Sequence, residues 1–409
     1  MFKYIVVGKG MIGSAAAKYL SSASDSVAAI GIDEPVDLKK HNGVFASHYD
    51  SGRITRILDS DYTWALAAKR SIEMYSIIEE KSGIKFFHPR GCIKVVPDSP
   101  EKQAYIDANE TIGNKLGAIS QRLTADDLVA QYPFLKFPSG SIGIAEKITA
   151  GWINPRKLVE AQLILAKLNE AQIINDTVVR ISREAGALSI ETLSGQKYQT
   201  EKVVIAAGGF VNFNNLLSSE VELTPRAETV VQARVSPGQL PEFSDMPSVI
   251  WFLKNQEKLE YVYVVPPAQY PDGNYYIKMG GDRESEQTLT SLDELNNWFH
   301  SDGGQEGVTV YQKLMQEMLP TLKVEQWLSK PCVVTDTVTE KPYIDSVEEG
   351  VYIAAGGCGA AAKSSDEFGR LAALCAQGQH DPSYDKDAFK VVLKDQIIDR
   401  EIEKRKFKF

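Results

Sequence analysis

Phe2 to Val7 is a short run of β-branched and aromatic residues, which predicts a buried strand. Gly8, Gly10 and Gly13 follow at G-x-G-x-x-G spacing, and Ser14 to Leu20 reads as a helix rich in small residues. A second apolar run, Val27 to Ile32, ends in Asp33, 20 residues after Gly13. Strand, glycine turn, helix, strand and acid in this order form a dinucleotide fingerprint. The first glycine makes the tight turn, the second admits a pyrophosphate to the backbone, and the third lets helix pack on strand. The helix N-terminus favours the anion, and the acid accepts from a ribose hydroxyl.

Farther along, Asn154 as N-cap and Pro155 at the first helical position start an amphipathic helix over Arg156 to Asn169. Strand patterns return at Gln172–Ile174, Val178–Ile181 and Val203–Ala207. Between 215 and 330 the texture becomes alternating, as in Thr229–Val235, Tyr261–Val265 and Tyr275–Met279, which predicts antiparallel strands. Residues 312–319 read as helical. A last strand, Val351 to Ala355, runs into Gly356-Gly-Cys-Gly359 and a helix from about Ser365 to Gln377. This second glycine-rich turn also aims backbone amides at an anion. The pattern predicts a mixed α/β fold in which a Rossmann-type domain is assembled from separated pieces around an inserted antiparallel-sheet domain.

Composition narrows the function. With 45 Lys+Arg against 54 Asp+Glu the chain of 409 residues carries a net charge of −9, which argues against nucleic-acid binding. The 43% hydrophobic share supplies a full core. The 4 cysteines and 5 histidines show neither disulfide nor zinc spacing, so no metal is expected. Without an apolar run long enough to span a bilayer, or a signal or peroxisomal address, the expectation is a cytoplasmic protein that binds no membrane.

The fingerprint alone does not separate NAD from FAD. Its place at the start of the chain, with a second glycine-rich turn near the end, favours FAD. Val7-Gly-Lys-Gly-Met-Ile-Gly13, His48-Tyr-Asp-Ser-Gly-Arg-Ile-Thr-Arg56, Gly151-Trp-Ile-Asn-Pro155, Ile277-Lys-Met279, Cys332-Val-Val-Thr-Asp-Thr337, Tyr343-Ile-Asp345 and Gly357-Cys-Gly-Ala-Ala-Ala-Lys-Ser-Ser365 together resemble the D-amino-acid-oxidase flavoprotein family. The nearest branch is monomeric sarcosine oxidase and pipecolate oxidase, and the resemblance covers roughly residues 1–385.

The resemblance implies an FAD enzyme that oxidises the C–N bond of a secondary, N-methylated or cyclic amino acid and passes the electrons to molecular oxygen, giving hydrogen peroxide. Carried over residue by residue, Gly8, Gly10, Gly13 and Asp33 would hold the ADP half, with Val179 at the adenine. His48, Arg53, Ile54, Gly357 and Gly359 would lie around the flavin, and Cys332 would form a thioether to it. Arg56 and Lys363 would clamp the substrate carboxylate, with Lys363 also near the flavin and Tyr263 lining the pocket. Lys278 would be the oxygen-activating cation, and Arg53 would assist catalysis beside the ring. The implied domains are residues 1–85, 146–215 and 325–385 for FAD, 86–145 and 216–324 for substrate, and a tail over 386–409.

The chain also departs from the branch. The histidine-to-arginine motif is one residue longer, and Ala360, Val334 and Asp282 stand where the branch has histidine, tyrosine and histidine. Sarcosine is therefore disfavoured. Alternatives are a flavin dehydrogenase of an amine or 2-hydroxy acid using another acceptor, an NAD-dependent dehydrogenase, and a non-catalytic flavin binder. Cys358 in its glycine turn has a faint nucleophile-elbow pattern, which leaves the N-terminal fingerprint unexplained.

Overall fold

The structure is a computed structural model, and it describes residues 1–184, 186–254, 259–283 and 287–395, except the Asp282 side chain. The Asp282 departure, most of the expected tail and the end of the chain at 406–409 therefore lie outside the described residues.

Five parallel strands form the body of the first, eight-stranded sheet, with Tyr343–Glu348 antiparallel beside Val351–Ala355. Val351–Ala355, Lys197–Ile205, Phe2–Val7, Val27–Gly31 and Gln172–Asn175 lie side by side in that order. The hairpin Val178–Glu184 and Ala187–Thr192 joins the start of Lys197–Ile205. Val27–Gly31, Val351–Ala355 and the ends of Phe2–Val7 and Lys197–Ile205 are buried as nearly continuous hydrophobic runs, as the central strands of a covered parallel sheet are. The helix Met11–Ala23 follows the first strand and packs against Ser365–Ala376 and Pro155–Leu168. Small residues permit that approach: a Cβ on Gly369 would lie 2.3 Å from the Ala15 Cβ. At this junction Asp366 accepts from Lys18, from Tyr19 Oη at 2.7 Å and from Gln162 Nε2 at 3.0 Å.

The second sheet has eight strands. Their order is Val324–Asp336, Thr224–Val235, Tyr275–Arg283, Leu259–Gln269, Ser248–Phe252, Cys92–Pro97, Ser141–Glu146 and Ser120–Leu123. All neighbours are antiparallel except Ser248–Phe252 beside Cys92–Pro97. Val324–Asp336, which carries Cys332, runs along Thr224–Val235 and so belongs to this sheet. The sequence division had put most of that strand in the nucleotide-binding part. A third, small antiparallel sheet consists of Arg53–Thr55, Gly151–Ile153 and Phe87–His88. The long helix Tyr62–Ser82 is fixed by Asp61, which accepts from Trp64 N, and by Gly83, left-handed at φ 74°.

Candidate active site

A cavity of about 830 Å³ lies where the parallel strands end. Gly8 and Gly10, Ile30, Val178, Ala206 and Gly357 line it, each at or just beyond the edge of that sheet. Such a crevice, at the carboxyl ends of parallel strands, is where open α/β sheets bind ligands. The three fingerprint glycines do different work. Gly8 takes φ 101°, and a Cβ there would strike Ala206 O at 2.4 Å. A Cβ on Gly13 would strike Gly8 O at 2.0 Å, so that position closes helix onto strand. A Cβ on Gly10 would meet nothing within 4 Å, and no side chain caps the helix it begins. The amides at this end are left for a ligand.

The antiparallel sheet forms the facing wall. Ile250 lies opposite Tyr263 and Phe252 opposite Tyr261, so one face of two strands presents four apolar or aromatic side chains to the cavity. The Tyr263 ring rests over Gly280, where a Cβ would meet its hydroxyl at 2.6 Å. Only glycine leaves that space.

Cations gather at Arg56. The backbone just after it is held by Glu146, whose buried carboxylate accepts from Ile57 N at 2.9 Å and from Leu58 N at 2.8 Å. Asp59 lies 3.7 Å from the Arg56 guanidinium and 3.0 Å from Lys363 Nζ. Burial pushes the Asp59 carboxyl up, but Lys363, Lys94 and Arg56 outweigh it and hold the group well below the usual range. Lys363 is buried over the Trp64 ring, and burial brings it down to about 8. The Arg56 Nε is buried with no hydrogen-bond partner. Arg56 itself lines the cavity, and a guanidinium there has the geometry to bind a planar anion.

Lys278 is placed differently from Arg56. Its ammonium is buried, paired with Asp50 at 2.5 Å and bonded to Gly52 O, and it is not on the cavity lining. Burial, followed by the nearby Arg53, lowers it well below the ordinary lysine range. Asp50 also pairs with Arg53 and accepts from Tyr270 Oη at 2.7 Å. His48 lines the cavity, and burial, with Arg156, Lys9 and Arg53, lowers it to about 3. The ring is therefore neutral at pH 7, and its Nδ1 is buried without a partner. Cys332 is a free thiol on the same wall, and its carbonyl accepts from Trp298 Nε1 at 2.8 Å.

The family model for FAD-dependent oxidoreductases, named DAO, matches residues 3–374. The chain belongs to the FAD-dependent oxidoreductase family. No curated protein matches it. Among solved structures it is similar to NikD, an unusual amino acid oxidase essential for nikkomycin biosynthesis, in its open form. That match has 17% identity and a TM-score of 0.76, covering 96% of this chain and 98% of the other. Amadoriase I, the fructosyl amine:oxygen oxidoreductase of Aspergillus fumigatus, gives 17% and 0.73 over 95% and 89%. L-proline dehydrogenase from P. horikoshii gives 20% and 0.70 over 93% and 94%. At such identities the likeness is one of fold.

FAD fits this cavity on three counts: the open space at Gly10, the uncapped helix end and the unpartnered Nδ1 of His48. Arg53, Ile54, Tyr263, Gly357 and Gly359 stand on its wall, as do Arg56 and Cys332. Val178 lines it where Val179 was expected, and Asp33 lies off the lining, its carboxylate 2.5 Å from Lys9 Nζ. Lys363 is behind the wall, reaching it through Trp64 and Asp59. The sequence reading missed Glu146, Asp59, Lys94 and Tyr105. One signal was available, a lysine at 94 inside the apolar run Cys92-Ile-Lys-Val-Val96. No helix of the described residues is long and apolar enough to cross a membrane.

Proposed function

We propose that this enzyme oxidises the C–N bond of a secondary, N-methylated or cyclic amino acid. Arg56, which lines a cavity whose far side fits FAD and keeps a buried Nε without a hydrogen-bond partner, carries this reading. Arg56 binds the substrate carboxylate, Glu146 holds the backbone beside it, and Lys363 reinforces it through Asp59. The aromatic face of Phe252, Tyr261 and Tyr263 suits an N-alkyl or cyclic body and excludes water from the reacting carbon. Bound FAD would supply the chemistry, accepting hydride from the carbon next to nitrogen and passing two electrons to molecular oxygen to give hydrogen peroxide. Gly8, Gly10, Val178, His48, Arg53, Ile54, Gly357 and Gly359 would hold it, with Cys332 as the candidate thioether. Anaerobic titration of the holoenzyme with N-alkyl and cyclic amino acids should bleach its absorbance near ~450 nm. If every carboxylated amine leaves the colour unchanged, this proposal fails.

A second reading, a dehydrogenase with an acceptor other than oxygen, is favoured by the pairing of Lys278 with Asp50 and Gly52 O away from the cavity. A cation offset in this way attracts developing negative charge less. Mixing reduced enzyme with air separates the two, because only an oxidase reoxidises fast enough to sustain turnover.

A further inference from the structure

Beside Arg56 lies a third buried cation, Lys94, and its role as argued here rests on the carboxylate-binding reading above. Lys94 stands on the strand Cys92–Pro97 and donates to Asn109 Oδ1 at 2.5 Å and to the Tyr105 hydroxyl at 3.0 Å. Asn109 is held in that orientation, since its amide nitrogen donates to the Tyr105 carbonyl one helical turn back, at 2.8 Å. Burial pushes the Tyr105 phenol up to about 12, so it keeps its single proton at neutral pH. The oxygen accepts from Lys94, which turns that proton elsewhere. The Asn109 side-chain amide also lies against this hydroxyl, and Tyr105 shares the cavity wall with Arg56. We propose that the Tyr105 hydroxyl is a further donor to the substrate carboxylate, beside Arg56, and that Lys94 is the positioning residue that aims it.

The charges around Lys94 agree. It faces Arg56 and Asp59 from the segment after Arg53–Thr55, Cys92 on its own strand, and Tyr105 and Asn109 from the helix Pro100–Leu116. Glu146 on the neighbouring strand and Lys363 complete the set. Three cations thus meet two carboxylates, and one bound carboxylate balances the group. Burial, then Arg56, lowers Lys94 to about 7 against the pull of Asp59. An anion seated on Arg56 offsets that repulsion, so its binding draws a proton onto Lys94 at alkaline pH.

The test is calorimetry on the holoenzyme with benzoate and its neutral analogue benzamide, in two buffers of different ionisation heat, at pH 6 and 8.5. Tyr105→Phe and Lys94→Met should each weaken benzoate at least tenfold while changing benzamide little. Wild type should take up a fraction of a proton with benzoate at pH 8.5, and Lys94→Met should take up less, Lys363, lowered to about 8, supplying the remainder. If both variants hold benzoate like wild type while Arg56→Ala loses it, the inference is overturned and the carboxylate reading stands. Equal benzoate binding by Arg56→Ala overturns the carboxylate reading itself. Weaker binding by Lys94→Met with undiminished proton uptake makes Lys94 structural and removes its positioning role. Should Lys94→Met not fold, Tyr105→Phe, which deletes one oxygen, decides alone.

Discussion

At Arg56 the sequence places a guanidinium three residues after another, at Arg53, and only the fold tells their tasks apart. Arg53 is tied to Asp50 and to Ser47 O at 2.9 Å, while Arg56 keeps an unpaired Nε. Arg56→Ala should therefore cost about 2–4 kcal/mol of carboxylate binding, the worth of a lost charge-assisted partner. Benzoate titration of the holoenzyme, read by the shift in its visible spectrum, measures this, and unchanged affinity contradicts it. For Lys278 the two half-reactions are the measure. On the oxidase reading, Lys278→Met leaves anaerobic reduction within about tenfold but slows reoxidation by air by orders of magnitude. Unchanged reoxidation would assign the lysine to structure, as partner of Asp50. For Cys332, acid precipitation should leave colour in the wild-type pellet and release it from Cys332→Ala. Motif resemblance singles out Arg56 and Lys363, of which the fold brings Arg56 to the cavity wall. Asp59, Glu146 and Lys94 were not legible, because their meaning lies in partners up to 304 residues away, as with Lys363 and Asp59. Charge pairs of that kind leave no periodic trace.

Elements with strong local signals read well. Asn154 accepts from Lys157 N at 3.2 Å to cap Pro155–Leu168, close to the expected Arg156–Asn169, and Val351–Ala355 has the expected bounds. The helix Tyr62–Ser82 went unread although Asp61 and Gly83 mark its ends. Its buried face depends on tertiary contacts more than on a clean apolar stripe. Val324–Asp336 shows the other limit, since sequence position does not say to which sheet an edge strand will bond. The glycine turn yields a prediction at this scale. Gly13→Ala should destabilise the fold by ~1–3 kcal/mol, because its Cβ would press on Gly8 O. Gly10→Val should leave the apoprotein nearly as stable, yet lose FAD from the open space it now fills. Thermal unfolding of the apoprotein and fluorescence of released flavin, measured on both variants, distinguish the two effects. Equal losses in both would refute the division of labour.

Across the whole molecule, acid should be the weak side. His48 is neutral when folded, lowered to about 3 from 6.5 by burial and three nearby cations. Below about pH 6.5 the unfolded chain binds a proton that the folded one refuses, so this contribution is intact above 6.5. It falls by about 1.4 kcal/mol per pH unit toward 3. Urea unfolding at pH 7 and 5.5, at one fixed FAD concentration, should show the drop, and His48→Gln should reduce it. An identical pH slope in the variant would exclude His48 as the cause. The arrangement of the parallel sheet bears on how the enzyme comes into being. Its strand Val351–Ala355 bonds to Lys197–Ile205 and leads directly into the turn at Gly357 and Gly359 that borders the cavity. A ribosome adding ~5–20 residues per second needs roughly 20–70 s to travel from Gly13 to Gly359. For most of its synthesis, then, the nascent chain displays a finished nucleotide fingerprint beside a missing wall. Cofactor capture should therefore be a late event of biogenesis, and a polypeptide interrupted before Val351 should remain colourless.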